Sequence, residues 1–309
     1  MMKTADAINR EDTGMNHSNT WKGIFLAAFG AIGWGISGVC GQYLFSVYHI
    51  ESSWITAVRM ILSGIVLLTI SFSKKKTHIF HIFRDKTDCK WLISFAFLGL
   101  LLCQYTYMGA IKYSNSATAT VLQSLNVIIM AVVMAVRNHS KMRSSQVVAI
   151  ILAVLGTYLI ATNGNLSEMV LSAPGLVFGL FSAVGVVFYT LLSRPIIQKW
   201  SNIMITGWGM LIGGLALGIL IQAWNIPTNL DLRAYVIVAV IVLVGTAGGF
   251  SAFLQGVKYI GPVKATLIGC IEPVTATIFS AILLNTQFTI YELLGFACII
   301  LTVFLSLKE

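Results

Sequence analysis

From Ile24 onward the chain is a succession of apolar runs about twenty residues long, separated by short clusters of charged and turn-forming residues. A helix needs ~20 mostly apolar residues to cross the ~30 Å hydrocarbon layer of a bilayer. Without water there, each backbone N–H and C=O must find its partner inside the protein, so such runs leave a helix as the only open conformation. By that criterion spans fall near residues 24–47, 53–72, 91–111, 117–136, 145–162, 174–193, 203–222, 234–256, 263–283 and 290–307. The expected fold is an all-α integral membrane protein with ten transmembrane helices. Composition agrees, with 57% hydrophobic and 10% charged residues against roughly 25% charged in soluble domains.

The first run is longer than the ~7–15-residue core of a cleaved signal peptide, so it reads as a span. Residues 1–20 are polar and lack apolar periodicity, which predicts a solvated tail. The five cysteines show no CxxC spacing and imply neither a disulfide frame nor a metal site. No cofactor is expected.

Basic residues set the orientation, because Lys and Arg beside span ends are retained in the cytoplasm. With the N-terminus inside, 17 of the 20 Lys and Arg fall on cytoplasmic segments. Lys112 and Arg233 lie outside and Arg59 lies within the second span. Both termini are therefore expected in the cytoplasm, with the chain in the cytoplasmic (inner) membrane. The net charge of +9 is explained by this bias and by attraction to anionic lipid, which leaves no call for nucleic acid as a partner. The cluster of Lys74, Lys75, Lys76, Arg84, Lys86 and Lys90 reads as a topology anchor.

The chain also repeats itself. Lys112 to Val127 (KYSNSATATVLQSLNV) aligns without a gap on Lys258 to Pro273 (KYIGPVKATLIGCIEP), an offset of 146 that also carries Gly99 onto Gly245 and Asn126 onto Glu272. Nearer the start the offset drifts, with Gly33 matching Gly185 and Gly64 matching Gly214. Spans one to five thus repeat as six to ten, in units 21–162 and 174–309 joined by an extracytoplasmic linker, 163–173. An odd number of spans per unit makes the second copy enter the membrane from the opposite side, so the repeats are inverted. Inverted halves have two near-equal packings that expose a central site to one side or the other.

These features resemble the EamA family of the drug/metabolite transporter superfamily, over nearly all of Trp21 to Leu307. Ala265, Glu272-Pro273 and Leu293-Leu294-Gly295 match its pattern in the second copy, and Ala119 and Gly156 in the first. Val127 stands where the first copy's proline would be, and His139-Ser140 and Asn285-Thr286 replace the family's Gly-Glu pairs. The resemblance implies a ten-helix carrier that exports small metabolites, amino acids or drug-like compounds, often driven by protons. It leaves monomer or homodimer open. A membrane sensor or assembly subunit that keeps the carrier fold without transporting is the alternative, since fold does not imply function.

Candidate site residues follow from what polar groups cost inside a bilayer. An ionised carboxylate at mid-span costs at least ~2.5 kcal/mol, so Glu272 must be neutral, paired or facing water. It is either a proton or cation site, or a protonated group bonding a neighbouring helix beside Pro273. Arg59 either snorkels to the interface or turns inward as an anchor for a carboxylate. Gln104, Tyr105, Tyr107, Gln123, Ser124 and Asn126 carry more polar atoms than lipid contact tolerates and are expected to face the interior. Gln104, Gln123 and Asn126 are the polar candidates; Trp34, Tyr189 and Trp208 are candidate aromatic walls, with interfacial or core packing as the competing reading. The cavity they would form is expected between spans one, three, four, six, eight and nine.

Gly33-Trp34-Gly35-Ile36-Ser37-Gly38 has the spacing of a dinucleotide fingerprint, but inside a spanning helix it reads as helix packing. The chain has no Walker loop, HExxH helix or GxSxG elbow, and the expectation is that it is not an enzyme.

Overall fold

The computed structural model describes residues 17–75, 79–137, 144–165, 170–197, 199–227, 230–269 and 271–306. The first sixteen residues of the expected tail, His139-Ser140 and Cys270 lie outside the described residues. In chain order the helices are α1 (His17–Val47), α2 (Ser52–Lys75), α3 (Lys86–Tyr113), α4 (Ser116–Gln123) and α5 (Asn126–Arg137). There follow α6 (Ser144–Thr162), α7 (Ala173–Ile197), α8 (Asn202–Leu220), α9 (Leu232–Ile260, helical on to Gly269), α10 (Ile271–Leu284) and α11 (Ile290–Ser306). No strand occurs among the described residues.

Among the described residues seven stretches are long and apolar enough to cross a bilayer: α1, α2, α3, α4 with α5, α7, α8 and α9; α6, α10 and α11 hold shorter apolar segments. Phe25, Ile151, Val154, Leu220 and Ile282 stand more than 60% exposed on the outside of the bundle. That surface is stable only against lipid, and the chain is a multi-pass membrane protein.

The packing partners are reciprocal. Helix α1 packs most extensively on α9, α3 on α7, α2 on α8 and α6 on α11. Exchanging α1 with α7 and α3 with α9 turns the first pairing into the second, while the other two map onto themselves. The α2–α8 contact runs through glycine on both sides: a Cβ at Gly64 would lie 2.7 Å from the Leu211 nitrogen, and one at Gly214 2.8 Å from the Ile61 nitrogen. Small residues at such crossings let two backbones approach closely, the main source of helix association where lipid is as apolar as leucine.

The sequence repeat reappears as local structure. Asp85 caps α3 by accepting from the backbone N–H of Thr87 and Asp88, and Asp231 caps α9 by accepting from that of Ala234. Each capped helix then contains a π-helical stretch, Phe95–Leu101 and Ile241–Gly248. In α9 the hydroxyls of Thr246 and of Ser63 on α2 donate to the carbonyls of Ile241 (2.8 Å) and Val242 (3.1 Å). Such bulges redirect the side chains that follow and recur at functional sites.

Two expectations are corrected. The fourth span is not one helix: α4 ends at Gln123 and α5 begins at Asn126, although no proline is present. The Asn126 side-chain amide donates to the Gln123 carbonyl at 2.7 Å, so it satisfies a group that the broken ladder leaves open. The eighth span was expected to end at 256 and the ninth to begin at 263, whereas α9 stays helical to Gly269 and α10 begins at Ile271.

Candidate substrate cavity

The π-helical stretch of α9 at Gly245, the turns of α3 that follow its own π-helical stretch, the break between α4 and α5 and the start of α10 line a cavity of about 180 Å³. It is larger than the ~30 Å³ share of one water and suits a small organic solute. Its polar wall comes from Arg59 on α2, Cys103, Gln104 and Tyr107 on α3, Thr120 and Gln123 on α4, Asn126 on α5 and Glu272 on α10. Its aromatic wall is Trp34 on α1, Tyr189 on α7, and Phe250 and Phe253 on α9. Trp34 touches Phe250 and Phe253 with ring centroids 5.0 and 4.7 Å away, and Tyr189 meets Phe250 at 5.9 Å.

Seven of the eight residues expected from sequence therefore line one cavity: Glu272, Asn126, Arg59, Gln123, Gln104, Trp34 and Tyr189. Trp208 does not. Its indole N–H donates to the Ile79 carbonyl at 2.7 Å, and its ring packs edge-on against Phe80 and Phe83, so it anchors α8 to the segment that precedes α3. Tyr105 also departs from the inward face: it is 36% exposed and packs on Phe178. Arg59 is 5% exposed and turned into the cavity rather than snorkelling. Span two thus joins the lining that was expected without it.

Sequence reasoning passed over Ser37, Thr190, Phe250 and Phe253. Phe250 and Phe253 carried a signal in their i, i+3 spacing, which places both on one helix face. Ser37 and Thr190 carried none, because a lone hydroxyl in a span commonly bonds its own helix backbone, as Thr190 does to Val186.

Buried polar groups are normally hydrogen-bonded. Around this cavity several are not: Trp34 Nε1, Ser37 Oγ, Arg59 Nε, both amide atoms of Gln104 and Tyr189 Oη are buried without a partner. Arg59 and Glu272 share the cavity, yet the ion pairs among the described residues are Lys112 with Glu51 and Lys199 with Asp88. The arrangement thus presents one cation, one carboxyl group and several unengaged donors in a confined space.

Toward the Tyr48 end of the bundle hydrogen bonds join the helices that line the cavity. Tyr107 Oη and Thr120 Oγ1 are 2.9 Å apart, and Ser116 Oγ and Ser280 Oγ 2.7 Å apart. Gln42 on α1 accepts from the Ser116 backbone N–H at 2.8 Å and reaches Ser280 and Thr286 at 3.4 Å. These bonds tie α1, α4 and α10 together.

The EamA-like transporter family model matches residues 21–162 and 173–308. The chain belongs to the EamA-like transporter family. It is 33% identical over 290 residues to a Salmonella typhimurium protein named as the uncharacterized inner membrane transporter YicL, covering 93% of this chain and 95% of that one. It is 23% identical over 211 residues to the uncharacterized transporter YyaM of Bacillus subtilis, covering 67% and 69%. A solved structure described as a crystal structure of protein superposes with a TM-score of 0.59 at 16% identity, over 93% of this chain and 94% of that one, and shares the fold. Family membership makes the chain a transporter in general, and a small molecule its substrate.

Proposed function

We propose that this EamA-family protein is a secondary carrier that exports a small solute from the cytoplasm by alternating access, with the cavity around Arg59, Gln104 and Glu272 as its substrate site. The observation that carries this reading is the set of buried, unpartnered polar groups facing a cavity built from both halves of the chain. In a lipid-facing bundle such groups are costly, and intramembrane ionisable residues serve substrate and ion pathways. The reciprocal packing of α1 on α9 and α3 on α7 supports ten crossings in two inverted five-helix repeats, which rock about a site at their interface. In this reading both termini lie in the cytoplasm, where the excess of Lys and Arg puts them, and the Tyr48 end, with its hydrogen bonds between α1, α4 and α10, faces outward. The relative named as an inner membrane transporter supports the cytoplasmic membrane as the location.

Protons are the coupling ion in this reading, carried by Glu272, the ionisable side chain that α10 contributes. The test is solute exchange in proteoliposomes at several pH values. Wild-type flux depends on pH; Glu272→Gln retains exchange and loses the pH dependence. An unchanged rate and pH profile in Glu272→Gln sinks the proton role. Solute binding without any flux sinks the carrier reading in favour of a non-transporting sensor or assembly subunit.

A further inference from the structure

Two of the incompletely satisfied side chains of the cavity, Arg59 and Gln104, differ in what they can bind. Arg59 is a permanently charged guanidinium, 5% exposed, whose Nε has no partner and which forms no ion pair among the described residues. Gln104 is 1% exposed, and neither its amide nitrogen nor its amide oxygen is engaged. A buried cation is stable only when its charge is answered, and a planar fork of N–H donors fits a carboxylate in two parallel bonds.

Resting on the carrier reading, we propose that the cavity selects a small organic carboxylate with a flat apolar body. Its carboxylate is held by Arg59 and Gln104, and its body lies against Trp34, Phe250 and Phe253.

Three features narrow the class. The cavity holds one guanidinium, which answers the single charge of a carboxylate but only half that of a phosphate dianion. A bare organic cation would meet Arg59, whose charge does not titrate away. The mutually packed rings of Trp34, Phe250 and Phe253 offer an apolar face, and about 180 Å³ fits a solute with one ring system rather than a long chain. A plain carboxylic acid and a zwitterion share the carboxylate, and they differ only in whether Glu272 answers an ammonium group.

The test measures binding to the purified full chain by tryptophan fluorescence, with phenylacetate, phenylacetamide, phenethylamine and phenylalanine as probes, and then counterflow of the bound probes in proteoliposomes. Phenylacetate or phenylalanine is expected to bind at least ten times more tightly than phenylacetamide and phenethylamine. The acid-over-amide preference falls below twofold in Arg59→Gln and is partly kept in Arg59→Lys. Tighter binding of phenylalanine than phenylacetate, lost in Glu272→Gln, identifies the zwitterion as the source; the reverse order identifies the plain acid. The wild-type comparison needs no variant and survives an Arg59→Gln that fails to fold. Equal or stronger binding of the amide or the amine, or no binding of either carboxylate, overturns the assignment, and counterflow of the amide or amine then leaves the carrier reading standing. Carboxylate binding without counterflow upholds the assignment and sinks the carrier reading.

Discussion

Ser116 on α4 and Ser280 on α10, 164 residues apart in sequence, meet hydroxyl to hydroxyl at 2.7 Å, a bond that ties two of the cavity's helices together. Both residues are fully buried, so each hydroxyl depends on the other and on its neighbours, Ser116 through its backbone N–H to Gln42 and Ser280 through its side chain to the same oxygen. Removing Ser280 leaves the buried Ser116 hydroxyl unsatisfied, which costs about 1–3 kcal/mol, and removing Ser116 leaves Ser280 only its 3.4 Å bond to Gln42, whereas removing both leaves little orphaned. Ser116→Ala and Ser280→Ala are each expected to lower the thermal midpoint in detergent, and the double variant to lower it by clearly less than the sum. Additive losses would show that the two hydroxyls act independently.

The glycine contact between α2 and α8 predicts a steep steric response. A Cβ at Gly214 would sit 2.8 Å from backbone nitrogen, which cannot move aside. At Gly218, one turn on, the nearest atom is the tip of Ile61 at 3.2 Å, which can rotate away. Gly214→Ala is expected to destabilise by about 1–3 kcal/mol through overpacking, and Gly218→Ala by a small fraction of that, as read from thermal midpoints and the yield of folded protein.

The two tryptophans offered as aromatic walls are expected to separate cleanly. Trp208→Phe loses its bond to Ile79, worth about 1 kcal/mol of stability, and leaves ligand affinity unchanged. Trp34→Ala removes the ring that contacts Phe250 and Phe253 and weakens ligand binding at least tenfold. Parallel titration and melting curves on both variants check this.

At the rim of the bundle, the Tyr48 hydroxyl donates to Asp231 at 2.7 Å, and this bond, together with the Ala234 backbone N–H, holds the Asp231 carboxyl below its ordinary pKa. A carboxyl depressed in the folded state contributes stability that is present above its unfolded value of about 3.9 and is lost as pH falls through the folded value. The wild-type thermal midpoint therefore falls below about pH 4 more steeply than that of Asp231→Asn, which has no proton to take up. Melting curves from pH 6 to pH 3 decide it, and parallel curves for the two proteins would show that the bond is not formed in solution.

Membrane insertion was legible in the chain because hydrocarbon tolerates so few backbone arrangements: runs of twenty apolar residues can only be helices. The repeat was legible because Lys112 to Val127 and Lys258 to Pro273 keep their register, and Asn126 and Glu272 could be paired before any packing was known. Tertiary structure alone decided which polar side chains converge. In the sequence Arg59 reads more readily as snorkelling than as inward-facing, and Trp208 and Trp34 are the same residue type in similar runs, separated only by their surroundings: Trp208 donates to Ile79 while the Trp34 N–H faces the cavity without a partner. The break before Asn126 was likewise hidden, since no proline announces it. It forms where the Asn126 side chain donates to the Gln123 carbonyl, a side-chain bond that no apolar periodicity records. Periodicity determines which segments cross the bilayer; where their polar atoms end up depends on contacts between residues far apart in the chain.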